Sequence, residues 1–195
     1  TRLHQEGAKV VIADINAKLA QATANELSGL GIQTDVTNST SVNALVDNVK
    51  EHFGRLDILI NNAGIHVQKL ATDLTDDEWD AIQNTNARGC FYMCRAAAKI
   101  MMQQESRRII NIITRLGGNA FSSAYVASKS AVWGFTQCLA LELAPYNITV
   151  NAVAPGHIGV GTGMEKWFRA KAELLGQDWE TFEKNVLKTI PLGRW

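Results

Sequence analysis

Tyr125 and Lys129 stand four residues apart in the stretch "SAYVASKSAV". The stretch has helical pattern, so the two side chains share one face. A phenol ordinarily holds its proton to about pH 10. A neighbouring ammonium favours the phenolate and draws that value down. A tyrosine tuned in this way can take a proton from an alcohol or return one to an alkoxide. Lysine at the same place has donors left over for sugar hydroxyls. Just upstream, "RIINIITRLGG" delivers a hydroxyl at Thr114. The plainer alternative is a core tyrosine and a surface lysine that share a face by chance.

Positioning such a pair requires strands and helices in alternation. Short apolar runs bounded by turn signals predict strands over Ala8–Ile15, Leu56–Gly64, Arg108–Thr114 and Ile148–Gly156, with a weaker one over Ile32–Val36. Between them fall helices: Ala17–Leu27 capped by Asn16, and Ser41–Phe53 capped by Ser39 or Thr40. A long helix opens at the capping box Thr75–Glu78 and reaches Met102, and another spans Ser123–Leu143. Alternating strands and helices predict an α/β fold with a doubly wound parallel sheet covered by helices on both faces, as a single domain. Ligands of such sheets bind beyond the carboxyl ends of the strands. There the sequence places Asp14, Asp35, "NNAG", Thr114 and "PG". The region 157–187 carries helical pattern and two tryptophans, and reads as a lid over those ends. Both ends of the chain look cut, so the expectation is most of a domain.

The 195 residues carry no formal net charge, with 46% hydrophobic and 19% charged residues. Nothing in that balance draws the chain toward nucleic acid or an anionic membrane, and no nucleic-acid or membrane partner is expected. No run is long enough to cross a bilayer and no signal peptide opens the chain. Cys90, Cys94 and Cys138 lack metal-ligand spacing and read as buried thiols in a reduced, cytoplasmic protein. His4, His52, His66 and His157 show no metal-like grouping, and no metal is expected. His66 and His157 follow strand-end motifs and can either face a substrate or stand in solvated loops.

The motifs "NNAG", "NTNARG", "IINIIT", "YVASK" and "NAVAPG", in this order and spacing, resemble those of the short-chain dehydrogenase/reductase family. The resemblance runs from Gly7 to about Gly156 and more weakly to Arg194. It implies a Rossmann-type sheet, a nicotinamide cofactor and hydride transfer at a carbon bearing oxygen. Carried over by position, Tyr125 is the general acid/base, and Lys129 lowers its pKa and binds the nicotinamide ribose. Asn86 matches the asparagine that holds a water in the proton relay; otherwise it is a helix-interior asparagine bonded to nearby backbone. The family usually reads "NISS" where this chain reads "NIIT", so Thr114 stands for the serine that polarises the substrate oxygen. The rival is a Thr114 that merely ends a strand, with Ser122 or Ser123 nearer the substrate.

The glycine-rich pyrophosphate turn implied by the family is expected before Thr1. Asp14 can accept both adenosine ribose hydroxyls and repel a 2′-phosphate, which favours NAD over NADP, unless it simply opens a helix. Asp35 and Val36 match the adenine pocket. Asn61 and Asn62 tie neighbouring strands together, and Asn62, of the two, lies with Ala63 and Gly64 along the dinucleotide. Pro155, Gly156 and the backbone of Ile158 meet the nicotinamide end. Thr114, Leu116, Tyr125, His157 and Trp167 are the candidate substrate contacts, Trp167 being otherwise a core-facing residue.

The resulting expectation is an NAD-dependent oxidoreductase acting on a small polyol, sugar alcohol or hydroxyketone. It would form a homodimer or homotetramer through its two long helices. The competing classes are a 3-ketoacyl-thioester or steroid-type reductase, and a catalytically silent binding protein of the same fold.

Overall fold

The computed structural model describes residues 1–104, 107–156 and 163–194. A short helix α1 (Arg2–Gln5) leads into strand β1 (Val11–Asp14), followed by α2 (Ala17–Glu26), β2 (Leu30–Gln33), α3 (Ser39–Phe53) and β3 (Ile58–Asn61). Then come α4 (Asp76–Ile82), a π-helical turn (Gln83–Arg88), α5 (Gly89–Met101), β4 (Arg108–Ile112), α6 (Ser123–Leu143) and β5 (Thr149–Val153). Helices α7 (Gly163–Leu174) and α8 (Trp179–Lys188) follow.

All the strand pairings are parallel: β1 with β2, and β3–β4–β5 in a second ladder. Every connection therefore runs back across the sheet, and the carboxyl ends of the strands share one edge. The two ladders share one core. Val42, Leu45, Val46 and Val49 of α3 and Cys94, Ala97 and Met101 of α5 are buried in it. They pack with Leu59, Ile109 and Val150 of the sheet and Val132, Leu139 and Leu143 of α6, while Val11 and Ile32 join from β1 and β2. Burying each such aliphatic side chain is worth about 1.5–3 kcal/mol.

Local chemistry explains the boundaries. Asn16 caps α2, its Oδ1 accepting from the amides of Lys18 and Leu19. Asn38, not Ser39 or Thr40, caps α3, because its Oδ1 reaches the amides of Thr40 and Ser41. The capping box at Thr75 forms as expected, with both reciprocal bonds to Glu78 present. The weak strand expected at 32–36 begins and ends earlier, at Leu30–Gln33. Gly31 fits there because a Cβ would lie 2.7 Å from the Cα of Gln21, so β2 presses on the α2 backbone. Asp35 and Val36 consequently stand in the loop beyond the strand.

Two expectations need correction. The long helix is not uniform, because six residues, Gln83–Arg88, wind as a π turn. Gly89 ends that turn directly against Val36, where a Cβ would come within 2.9 Å of the valine Cγ2. Cys90 and Cys94 are buried, but Cys138 is exposed, being on the outward face of α6.

Candidate active site

A cleft of about 430 Å³ opens at the carboxyl edge of the sheet between β1 and β3. Ala13, Asp14 and Ile15 wall one side, Thr34 to Thr37 the next, and Ile60 to Ile65 the other. Lys129, Ile112, Asn86 and Cys90 form its inner end. Seven of the residues expected to hold a dinucleotide (Asp14, Asp35, Val36, Asn62, Ala63, Gly64 and Lys129) thus line one cavity, although they come from three separate loops and a helix, whereas Tyr125, Pro155 and Gly156 are not part of its lining.

The loop after β3 is pinned from below. Asn86, 1% exposed, accepts from the Ile65 amide (2.8 Å), donates to the Ile65 carbonyl (3.0 Å) and donates to Ser128 Oγ (3.0 Å). The π turn swings this side chain inward, and such turns recur where a helix must present a functional group. Both amide hydrogens are committed, so a water held here can only donate to the remaining lone pair of Oδ1. At Gly64, a Cβ would stand 3.2 Å from Asn86 Oδ1 and 3.5 Å from Lys129 Nζ. The absence of a side chain keeps the cleft floor open to a flat or extended ligand. Asn61, at the end of β3, donates to Asn111 Oδ1 (2.8 Å), tying β3 to β4 as expected. Asn111 in turn donates to Thr136 Oγ1 (2.9 Å) on α6.

On α6, Lys129 is 4% exposed and donates to the Ile112 carbonyl (2.8 Å) at the end of β4. Its Nζ lies 5.8 Å from the Tyr125 ring centre. Burial draws the Lys129 ammonium below its usual pKa, partly opposed by Cys90. Burial also raises the Tyr125 phenol above its ordinary value. The expectation that Lys129 lowers that phenol does not set its direction in this arrangement, where desolvation dominates. Ser128, between them in sequence, donates to the Tyr125 carbonyl (2.7 Å) and locks this turn to Asn86.

Thr114 is half-buried beyond β4, and its hydroxyl makes no hydrogen bond among the described residues. Ser123 is exposed, whereas Ser122 is buried with its hydroxyl 3.1 Å from His66 Nε2. Leu116 is exposed at the rim. Pro155 and Gly156 follow β5 at the same edge. His157 and Ile158 lie outside the described residues, as does the beginning of the region expected to form a lid. Its helices α7 and α8 pack together through Phe168, Phe182 and Trp179.

His66 is no solvated loop residue. Its ring stacks on Tyr125 at 4.4 Å between centroids and meets the edge of Trp167 on α7 at 5.3 Å. Burial first, then the charge of Lys171, pulls its pKa down to about 4. Its place just after "NNAG" was the signal available in the sequence. Ser128 and Lys171 are the further site residues that sequence reasoning missed. Because the unfolded chain takes up the His66 proton at about pH 6.5 and the folded one only near 4, stability is greatest above pH 6.5. It falls as the pH drops from 6.5 through about 4. Thermal unfolding followed across that range should show a smaller loss for His66→Gln than for the parent.

A parallel α/β sheet with a strand-end cleft, a buried lysine at its floor and a tyrosine beside it defines a dinucleotide-binding oxidoreductase. The chain belongs to the short-chain dehydrogenase/reductase family, whose model, described as short chain dehydrogenase, matches residues 1–173. The family works with nicotinamide cofactors. The chain is 35% identical to the 3-oxoacyl-[acyl-carrier-protein] reductase FabG of Thermotoga maritima, over 98% of its own length and 76% of that protein. Its fold superposes on sorbitol-6-phosphate 2-dehydrogenase SrlD of Erwinia amylovora with a TM-score of 0.93 at 32% identity, covering 99% of this chain and 79% of that one. It superposes equally on an NAD+-bound xylitol dehydrogenase, with a TM-score of 0.94 at 30% identity, covering 100% and 79%. The chain thus spans about three-quarters of the length of these relatives. Among the described residues no helix is long and apolar enough to cross a membrane, and no cluster of metal-ligating side chains occurs.

Proposed function

We propose that the protein is an NAD-dependent dehydrogenase of a small polyol, sugar alcohol or hydroxyketone. The observation that carries this reading is that Asp14 and Lys129 line one strand-end cleft, with the Tyr125 ring centre 5.8 Å from the Lys129 Nζ. Asp14, exposed at the end of β1, has one oxygen accepting from the Asn16 amide (2.8 Å), which orients the carboxylate. Its other oxygen is available for ribose hydroxyls, and its charge opposes a 2′-phosphate. Asp35, held by the Thr37 amide and hydroxyl, and Val36 would flank the adenine. Lys129 would hold the nicotinamide ribose, with Asn62, Ala63 and Gly64 along the dinucleotide and Pro155 and Gly156 at its nicotinamide end. Bound nicotinamide supplies the hydride acceptor or donor. Tyr125 moves the proton at its hydroxyl, Thr114 donates to the substrate oxygen, and Asn86 holds the Ile65 loop in place. The similarity to xylitol and sorbitol-6-phosphate dehydrogenases supports the substrate class.

The second reading, a 3-ketoacyl-thioester reductase, is favoured by the FabG likeness along nearly the whole chain. Assay of the purified protein on a polyol panel and on a ketoacyl thioester, each with NAD(H) and NADP(H), separates the two. The expected result is polyol turnover with NAD preferred. Asp14→Ser should then cut the NAD/NADP ratio of kcat/KM by about tenfold or more, about 1.4 kcal/mol of discrimination. An unchanged ratio removes Asp14 as the discriminator. For assembly, the exposed Phe91, Trp133 and Leu141 on α5 and α6 offer an apolar face that suits pairing with a second copy in a dimer or tetramer.

A further inference from the structure

Beside the catalytic pair lies a group of basic side chains that the proposed reaction does not use. Helix α7 presents Trp167 and Lys171 four residues apart, hence on one face. Trp167 touches His66, the ring stacked on Tyr125. Lys171 Nζ hydrogen-bonds to Asn119 Oδ1 in the loop after β4. Arg115 belongs to the same loop, one residue beyond Thr114. Lys171 loses basicity first through burial and then through the charge of Arg115. Neither forms an ion pair with a carboxylate among the described residues. Their basic neighbours do: Lys69 pairs with Glu78 at 2.5 Å and Arg169 with Glu165 at 2.7 Å. A half-buried ammonium held by Asn119, with a second cation within electrostatic reach and no ion pair at either among the described residues, carries an unfavourable energy that an anion would relieve. None of Arg115, Asn119 and Lys171 lines the strand-end cleft formed by Asp14, Asp35 and Gly64.

We propose that Arg115, Asn119 and Lys171 form a subsite for an anionic group on the substrate, a phosphate monoester or a carboxylate. This inference rests on the dehydrogenase reading and adds the substrate's charge to it. The route from the reacting centre toward Lys171 crosses two rings, His66 at 4.4 Å from Tyr125 and Trp167 at 5.3 Å from His66 between centroids. The substrate would therefore carry its alcohol carbon and its anionic end at opposite ends of an extended molecule. Asn119 holds Lys171 toward the loop, and His66, its pKa drawn down to about 4, is neutral at neutral pH and adds no charge of its own.

The test compares kcat/KM for neutral polyols, the corresponding aldonates and the corresponding terminal phosphate esters. The parent protein should favour an anionic member by about tenfold or more over its neutral analogue, and the better of the two anionic series identifies the headgroup. Lys171→Gln and Arg115→Gln should each collapse that anionic-to-neutral ratio, whereas Lys166→Gln, an exposed cation on the same helix, should leave it unchanged. Equal use of neutral and anionic compounds, or a ratio untouched by both variants, overturns the subsite while the dehydrogenase reading stands. Should no compound turn over, inorganic phosphate titrated into the NAD-loaded protein still decides the subsite. Saturable shifts of the His66 imidazole resonances, lost in Lys171→Gln, support it. Their absence, or their persistence in that variant, overturns it.

Discussion

Replacing Tyr125 with phenylalanine should lower kcat by about 10² to 10⁴-fold, the range a single positioned acid/base supplies. The substitution removes one oxygen and little else. The Tyr125 hydroxyl makes no hydrogen bond among the described residues, and the ring contact with His66 is kept by phenylalanine. Stability should therefore remain close to that of the parent, which separates lost chemistry from lost fold. Burial favours the neutral, protonated phenol, so Tyr125 is set to donate a proton to a carbonyl oxygen. In the oxidation direction the phenol must first give that proton up, and the rate should climb with pH. The Tyr125→Phe variant should lose this limb. Steady-state rates in both directions between pH 6 and 10, with urea unfolding of both proteins, check the expectation. A variant that keeps the parental rate removes Tyr125 from the reaction.

The second large effect is expected at Asn86. Its amide is buried and engages both backbone groups of Ile65 together with Ser128. Asn86→Leu would leave the Ile65 amide and carbonyl and the Ser128 hydroxyl each short of one partner. Unmet hydrogen bonds of this kind cost about 1–3 kcal/mol each when desolvated, and relaxation of the loop recovers part of the sum. A net loss of about 2–4 kcal/mol is expected, read as a lower midpoint in urea at unchanged slope. The same loop carries Gly64, which faces both Asn86 and Lys129 across the cleft floor. Cofactor affinity should fall along with stability, and protein saturated with NAD should regain part of the midpoint through linkage. Parental stability in Asn86→Leu would mean that the Ile65 loop is held by something other than this side chain.

The two substitutions illustrate different degrees of legibility. Tyr125 and Lys129 could be paired from spacing alone, because a helix turns about 100° per residue and brings positions four apart together. The electrostatic consequence could not be read that way. It depends on how far burial outweighs a nearby charge, and here burial sets the direction for both Tyr125 and Lys129. The role of Asn86 was open between backbone bonding and a water relay. Its three partners come from a loop 21 residues away in sequence and a helix 42 away. The π turn that aims it has no strong local code.

Strand type, helix caps at Asn16 and Thr75 and the carboxyl-edge position of Asp14 and "NNAG" were determined by the amino-acid sequence by itself. Each depends on periodicity, capping chemistry or chain direction within a few residues. Tertiary structure alone decided that His66 leaves solvent to stack on Tyr125, that Cys138 faces outward, and that Lys171 reaches Asn119 in the loop after β4. Those outcomes are set by desolvation and Coulomb forces between segments distant in sequence, and such forces have no value until the fold fixes the distances.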